Sequence, residues 1–223
     1  MIFIGSRNSS LEVNQVHISS VENQKNNPDR LLVFVDGDYK FSIEQEDWYR
    51  LNLYVGKEIS VEEIDKINQV CNFTRAKKKA IQHILFKKRT EYEIKIKLIN
   101  LGFDEDVVQK VICHLKELNY IDDEDYVKKY IKDAQNIRKL GPDRIYMELI
   151  KKGVDERIIR EALANQDYDE EITLRPLIQK KLAAVKDRDE RALKRIRNHF
   201  IRKGYSLDMI DELLDEELNR DED

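Results

Sequence analysis

Two hydrophobic rhythms divide the chain. In its first third, apolar residues alternate with polar ones; from about Thr74 onward they recur every three or four positions. The run LLVFVDGDYKFSI puts Leu31, Val33 and Val35 on one face, turns at Asp36-Gly37-Asp38, and resumes with Tyr39, Phe41 and Ile43. Alternation around Asp-Gly predicts a β-hairpin, because the tight turn requires positive φ. VHISSVE upstream predicts a third strand, separated from the hairpin by the turn-rich NQKNNPDR. A lone hairpin is marginal in water, so further cover is expected from the segment around Trp48, Leu51 and Val55, or from a helix opened by Ser60-x-x-Glu63, a capping box.

The second rhythm repeats. LINLGFDEDVVQKVI, LIKKGVDERIIREAL and FIRKGYSLDMIDELL align on Gly102, Gly153 and Gly204, which are 51 residues apart. Four and three residues before each glycine stand Leu98-Ile99, Leu149-Ile150 and Phe200-Ile201; eight before stand Ile94, Ile145 and Ile196. After them come Val107-Val108, Ile158-Ile159 and Met209-Ile210, then Val111-Ile112, Ala162-Leu163 and Leu213-Leu214. This spacing predicts two amphipathic helices per repeat. Each glycine ends one helix in a left-handed residue. Asp104, Asp155 or Ser206 caps the next. Thr90-x-x-Glu93 and Gly141-Pro142 punctuate helix starts. The period leaves room for a first helix in each unit, over Ala76–Phe86, Asp125–Ile137 and Leu177–Val185, with Ala80, Ile131 and Leu182 in equivalent positions. The expected fold is mainly α: three tandem three-helix repeats in an elongated, curved row, with a small N-terminal β-hairpin/α segment. The expected divisions are 1–70, 71–118, 119–168, 169–218 and an acidic tail at 219–223.

Charge adds a second pattern. Charged residues are 38% of the chain, yet net charge is only −4. From Cys71 to Asn100 there are nine Lys or Arg against two acids, and from Arg175 to Lys203 eleven against three. From Asp208 to the end nine acids face Arg220 alone. Such segregation suits an anionic partner for the body, with an acidic end that repels, gates or solubilises. The basic clusters are Lys87, Lys88 and Arg89 with Lys95; Arg138 and Lys139 with Arg144, Lys151 and Lys152; and Arg191, Lys194, Arg195, Arg197, Arg202 and Lys203.

Enzyme chemistry finds no foothold. Asp36, Asp38, Glu44 and Glu46 surround a glycine at the wrong position for a calcium loop. His17, His83, His114 and His199 are scattered, and Cys71 and Cys113 form no ligand motif, so no metal or other cofactor is expected. Asp122-Asp123 is better placed to start a helix than to share a substrate, and Tyr126 with Tyr130 suits a core or groove lining. GSRNSS reads as a flexible start rather than a phosphate cradle, and no apolar run is long enough for a secretory signal or a membrane span.

The string Tyr120-Ile121-Asp122-Asp123-x-x-Tyr126-Val127 resembles a signature of the RecX family of bacterial recombination regulators. So do Arg89-Thr90-x-x-Glu93 with Lys97-Leu98, Gly141 with Ile145, Leu149 and Lys152-Gly153-Val154, and the run Phe200 to Ser206. The similarity spans roughly residues 74 to 216, and the β segment resembles the extension of Gram-positive members. Asn119 stands where the family often has glycine, and Lys128 where it often has a small residue. The resemblance implies a non-enzymatic regulator of recombination and the SOS response; the two lone cysteines and short apolar runs point to a cytoplasmic protein, expected to be a monomer. It would lodge in the groove of the RecA filament on single-stranded DNA and suppress ATP hydrolysis, strand exchange and coprotease activity. The fifteen basic residues above would then form the face toward RecA and DNA. A nonspecific DNA-binding protein made of helix-turn-helix-like modules, and a scaffold for another partner, are the alternatives.

Overall fold

A computed structural model describes residues 15–25, 27–165 and 169–220. The flexible start read at GSRNSS and the last acids, Asp221 to Asp223, lie outside these residues. Contacts partition the chain into two compact units: residues 1–79 with 103–111, and residues 80–102 with 112–223.

In the first unit the hairpin forms as expected. Strands β2 (Asn27–Val35) and β3 (Asp38–Glu44) pair antiparallel, joined by Asp36 and Gly37 at φ 51° and 90°, the paired positive values of a type I′ turn. β1 (Gln15–Gln24) is the predicted third strand, and β4 (Glu58–Ser60) adds a fourth in the order β3-β2-β1-β4. Two expectations change here. Asn27 to Arg30, read as part of a turn, extend β2; Pro28, which has no N–H to give a ladder, lies where the β1 register jumps from Asn23↔Leu31 to Gln24↔Asn27. Three-residue β4 carries too little alternation to be visible in sequence.

Ile18, Val33, Val35, Phe41 and Ile43 form the sheet's buried face, covered by Trp48 of α1 (Gln45–Arg50) and by Ile64 and Cys71 of α2 (Val61–Phe86). Val55, grouped with Trp48 in the sequence, is exposed. The capping box holds: Ser60 Oγ accepts from the Glu63 amide and the Glu63 carboxylate from the Ser60 amide. The helix it opens is longer than expected. α2 runs 26 residues without a glycine or proline, through the boundary placed at residue 70 and through the helix start placed at Ala76. Burial, then nearby Asp47, pushes the Cys71 thiol up to about 11, which makes it a packing residue.

The second helical rhythm gives α3 (Glu91–Asn100), α4 (Glu105–Glu117), α5 (Asp123–Asn136), α6 (Pro142–Lys151), α7 (Glu156–Ala164), α8 (Glu170–Ala183), α9 (Glu190–Lys203) and α10 (Leu207–Arg220). α8 begins seven residues before the expected Leu177, capped by Asp169, and continues through Pro176. Burial of Leu174, Ile178 and Leu182 offsets the proline's missing hydrogen bond, each fully buried aliphatic contributing about 1.5–3 kcal/mol.

The equivalent positions Leu98, Leu149 and Phe200 are buried, as are Ile94, Ile145 and Ile196. The positions three before each glycine differ: Ile150 is 36% and Ile201 43% exposed. The apolar stripe is therefore narrower than the sequence suggested. α5, α6 and α7 enclose one core around Ile131, Ile145, Leu149 and Ile159, and α8, α9 and α10 another around Ile178, Phe200, Ile210 and Leu214.

A joint within the second unit explains the constant period. Thr90 Oγ1 donates to the carbonyl of Lys152 at 2.7 Å. One period later, the Gly141 amide donates to the carbonyl of Lys203 at 2.8 Å. In both places the end of one module's middle helix docks on the start of the preceding module's middle helix. Gly153 and Gly204 have φ of 72° and 89°, and a Cβ would lie 2.1 Å from the Tyr92 side chain or 2.3 Å from the Arg144 backbone nitrogen. These glycines both terminate a helix and admit a neighbour.

Candidate functional site

The structure sorts the fifteen predicted basic residues into one population held by carboxylates, a second left unpaired on α9, and several that belong to neither. The first lies at and around the repeat joints. At the N-terminus of α3, Thr90 Oγ1 accepts from the Glu93 amide and the Glu93 carboxylate accepts from the Thr90 amide, closing the expected box. Asp122 caps α5 through the Asp125 amide, whereas Asp123 accepts from the Glu91 amide and so ties α5 to α3. The acid pair is divided between two helix starts. Asn119 has φ 56°, a conformation its short side chain tolerates better than most, which accounts for its place where glycine is common.

Around these starts the cations meet carboxylates. Lys88 lies 2.7 Å from Asp125, and Lys152 2.9 Å from Glu93, with Arg89 at 3.8 Å from the same glutamate. Burial opposes ionisation of Glu93, but hydrogen bonds from Lys152 and Thr90 hold its carboxyl below the ordinary range. Arg138 and Arg144 converge on Glu148 at 2.8 and 2.9 Å, and the Tyr130 hydroxyl donates to it at 2.5 Å. Burial again opposes the charge, yet the three donors pull the Glu148 carboxyl down to about 2. Burial and donation to Glu148 raise Tyr130. Tyr126 and Tyr130 stack at 6.0 Å with Lys152 over both rings, which fits the lining role read from sequence. Tyr126 is buried, and with Tyr130 it floors a groove of about 360 Å³ bordered by Lys87, Lys88, Lys129 and Arg138.

Other predicted residues scatter. Lys95 lines a separate recess beside Asp122, Asp123 and Asp155 and is not part of the Lys87–Lys88 surface. Lys151 is exposed. Lys139 sits at φ 52°, its carbonyl accepting from the Lys203 ammonium at 3.2 Å; that ammonium also reaches the Arg138 carbonyl at 2.9 Å. Arg197 is paired with Asp211 of α10. Arg175 is held at 2.5 to 2.9 Å by Glu171, Glu216 and Glu217. Within the acidic end, expected to repel, gate or solubilise, Asp211, Glu216 and Glu217 pair with basic residues of their own module.

The second population remains uncompensated. Arg191, Lys194, Arg195, Asn198 and Arg202 share one exposed face of α9 at helical spacing, and among the described residues none of the four cations has an ion-pair partner. Arg195, Asn198 and Arg202 line a groove of about 470 Å³ with His199, Val185 and Lys181, the last contributed by α8. Burial, then Lys181, Lys203 and Arg202, lowers the imidazole's affinity for a proton. Lys181, Asn198 and His199 are not among the residues expected from sequence. The signal was available for Asn198 and His199, which stand three and four residues after Arg195; Lys181 is brought in only by the packing of α8 on α9.

Three family models match the chain: the regulatory protein RecX N-terminal domain over residues 16–60, the first RecX three-helix domain over 76–115 and the second over 122–163. The regulatory protein RecX of Clostridium perfringens (strain SM101 / Type A) is 35% identical over 195 residues, covering 86% of this chain and 91% of the relative. That of Clostridioides difficile (strain 630) is 33% identical over 207 residues, covering 92% and 97%. A crystal structure of regulatory protein RecX shares the fold, with a TM-score of 0.64 at 24% identity, covering 90% of this chain and 99% of the other. The structure of RecX from Lactobacillus salivarius gives 0.59 at 26% identity, covering 65% and 96%. Among the described residues no helix is long and apolar enough to cross a membrane.

Proposed function

The chain belongs to the RecX family of regulatory proteins, and from that premise we propose that it is a non-enzymatic, cytoplasmic inhibitor of RecA. On this reading it binds the groove of the RecA–DNA filament and suppresses ATP hydrolysis, strand exchange and coprotease activity. The observation that carries the proposal is the joint repeated after 51 residues, Thr90 on Lys152 and Gly141 on Lys203. A repeated joint presents similar surfaces at a regular interval, which suits a polymer of identical subunits, and tandem weak contacts strengthen one another when spacing matches. Phe86, 87% exposed beside Lys87-Lys88, and Ile137, 76% exposed beside Arg138-Lys139, are also one period apart. Large apolar side chains with cationic neighbours suit contact with acidic protein surface.

The test is DNA-dependent ATP hydrolysis by RecA with this protein added below one per protomer. Inhibition at such ratios is expected. Inhibition only at ratios that coat the DNA would favour an independent DNA-binding protein, and no effect at any ratio would refute the regulator reading.

A further inference from the structure

The α9 cations pose a physical problem that the joint residues do not. Lys181, Arg195 and Arg202 border one groove, Lys203 stands close enough to lower the proton affinity of His199, and among the described residues no carboxylate lines the space. Like charges held together destabilise the fold unless an anion joins them. Elsewhere the protein supplies that anion itself: Glu148 serves Arg138 and Arg144, and Glu217 serves Arg175 and Arg220.

We propose that the groove between the end of α8 and α9 binds the phosphodiester backbone of single-stranded DNA, with Lys181, Arg195 and Arg202 contacting phosphates and Asn198 donating a further hydrogen bond. The inference deepens the regulator reading by assigning the DNA contact to the third module. Its chemistry favours nucleic acid over acidic protein. Protein interfaces depend on buried apolar anchors, and this groove offers only Val185, two alanines and part of Ile196. The large exposed anchors Phe86 and Ile137 belong to the other modules, and the third module's own exposed Ile172, in the first turn of α8, does not line this groove. Arg, Lys and Asn are the usual phosphate donors, and such contacts position without reading sequence. Arg191 and Lys194 extend the same face by one turn and give the strand a track longer than the groove.

The experiment measures binding of a fluorescein-labelled oligo-dT strand to the full chain by anisotropy, as a function of salt and without RecA. One variant combines Lys181→Ala, Arg195→Ala and Arg202→Ala. A control combines Lys66→Ala, Lys110→Ala and Lys132→Ala, three exposed lysines elsewhere, to match the charge change. Each lost contact to single-stranded DNA flattens the slope of log affinity against log salt by about 0.7, so the groove variant should lose about 2 and the control close to none. Thermal melts of both verify folding. An unchanged slope in the groove variant, equal losses in both variants, or no oligo-dT binding by the parent protein each overturns the proposal. RecA inhibition, measured in parallel, separates it from the wider reading. Inhibition lost with the DNA slope intact would mean that the groove faces RecA protein. A slope change in the groove variant, with a parent protein that leaves RecA active, would retain the DNA site and refute the regulator.

Discussion

Arg138 and Arg202 are identical side chains, both on the protein's surface, in opposite electrostatic settings. Arg138 lies 2.8 Å from Glu148, which also receives Arg144 and the Tyr130 hydroxyl; Arg202 has cationic neighbours and no ion-pair partner among the described residues. The first arrangement joins α5 to α6 and is complete within the chain. The second has no such complement among the described residues. Clusters of arginine and lysine that look alike in sequence therefore divide by where the fold places carboxylates, and the α9 cluster has the strongest electrostatic reason to meet an anionic partner.

The joints give the largest expected effects. Gly204→Ala sets a Cβ against the Arg144 backbone at positive φ, whereas Gly102→Ala has similar φ but open space around it. Backbone strain alone costs about 1–2 kcal/mol. A denaturant titration should show that loss for Gly102→Ala and about 3–5 kcal/mol for Gly204→Ala. Equal losses would mean that the close approach contributes nothing to the joint. Leu149→Ala, in the core that supports the same helix, should lower stability by about 2–5 kcal/mol. An unchanged denaturation midpoint there would reject the repeat register.

Acid provides a subtler separation. The Glu148 carboxyl is held down at about 2 against an ordinary 4.5. Its contribution to stability is therefore complete above about pH 4.5 and fades as pH falls toward 2, because the unfolded chain takes up the proton first. Glu148→Gln should cost about 1–3 kcal/mol at pH 7 and flatten the acid limb of the stability curve. A parallel, undiminished acid limb in the variant would deny the network this role.

The smallest effect belongs to the groove. Burial, then Lys181 from α8 with Lys203 and Arg202 from α9, depresses His199 below the ordinary imidazole pKa of 6.5. The neutral form is favoured in the fold, so protonation as pH falls below 6.5 is destabilising. Bound oligo-dT would screen those cations and raise the His199 titration midpoint measured by NMR; an unmoved midpoint would place the strand away from the imidazole.

Much of the scaffold was legible because local and global demands agree. The alternation around Asp36-Gly37 could serve only a hairpin, and Leu98, Leu149 and Phe200 recur at positions where one face of a helix must be buried. Other features depended on distant partners. β4 is three residues long and exists because β1 offers its edge; Ile201 carries an apolar side chain in a helical stripe yet faces outward. The site was legible as charge and not as function. Nothing around Arg197 in sequence announces Asp211, and Glu216 and Glu217 reveal their partner only where they close on Arg175.

The most direct measurement compares chemical denaturation of Arg138→Gln/Arg144→Gln with that of Arg195→Gln/Arg202→Gln, two variants with the same loss of charge. A loss of about 1–2 kcal/mol is expected for the first, whose arginines are half exposed but share a mostly buried carboxylate. No loss, or a small gain from relieved repulsion, is expected for the second. Equal destabilisation of both, or a larger loss in the α9 pair, would contradict the division of the basic residues into those that complete the fold and those that await a partner.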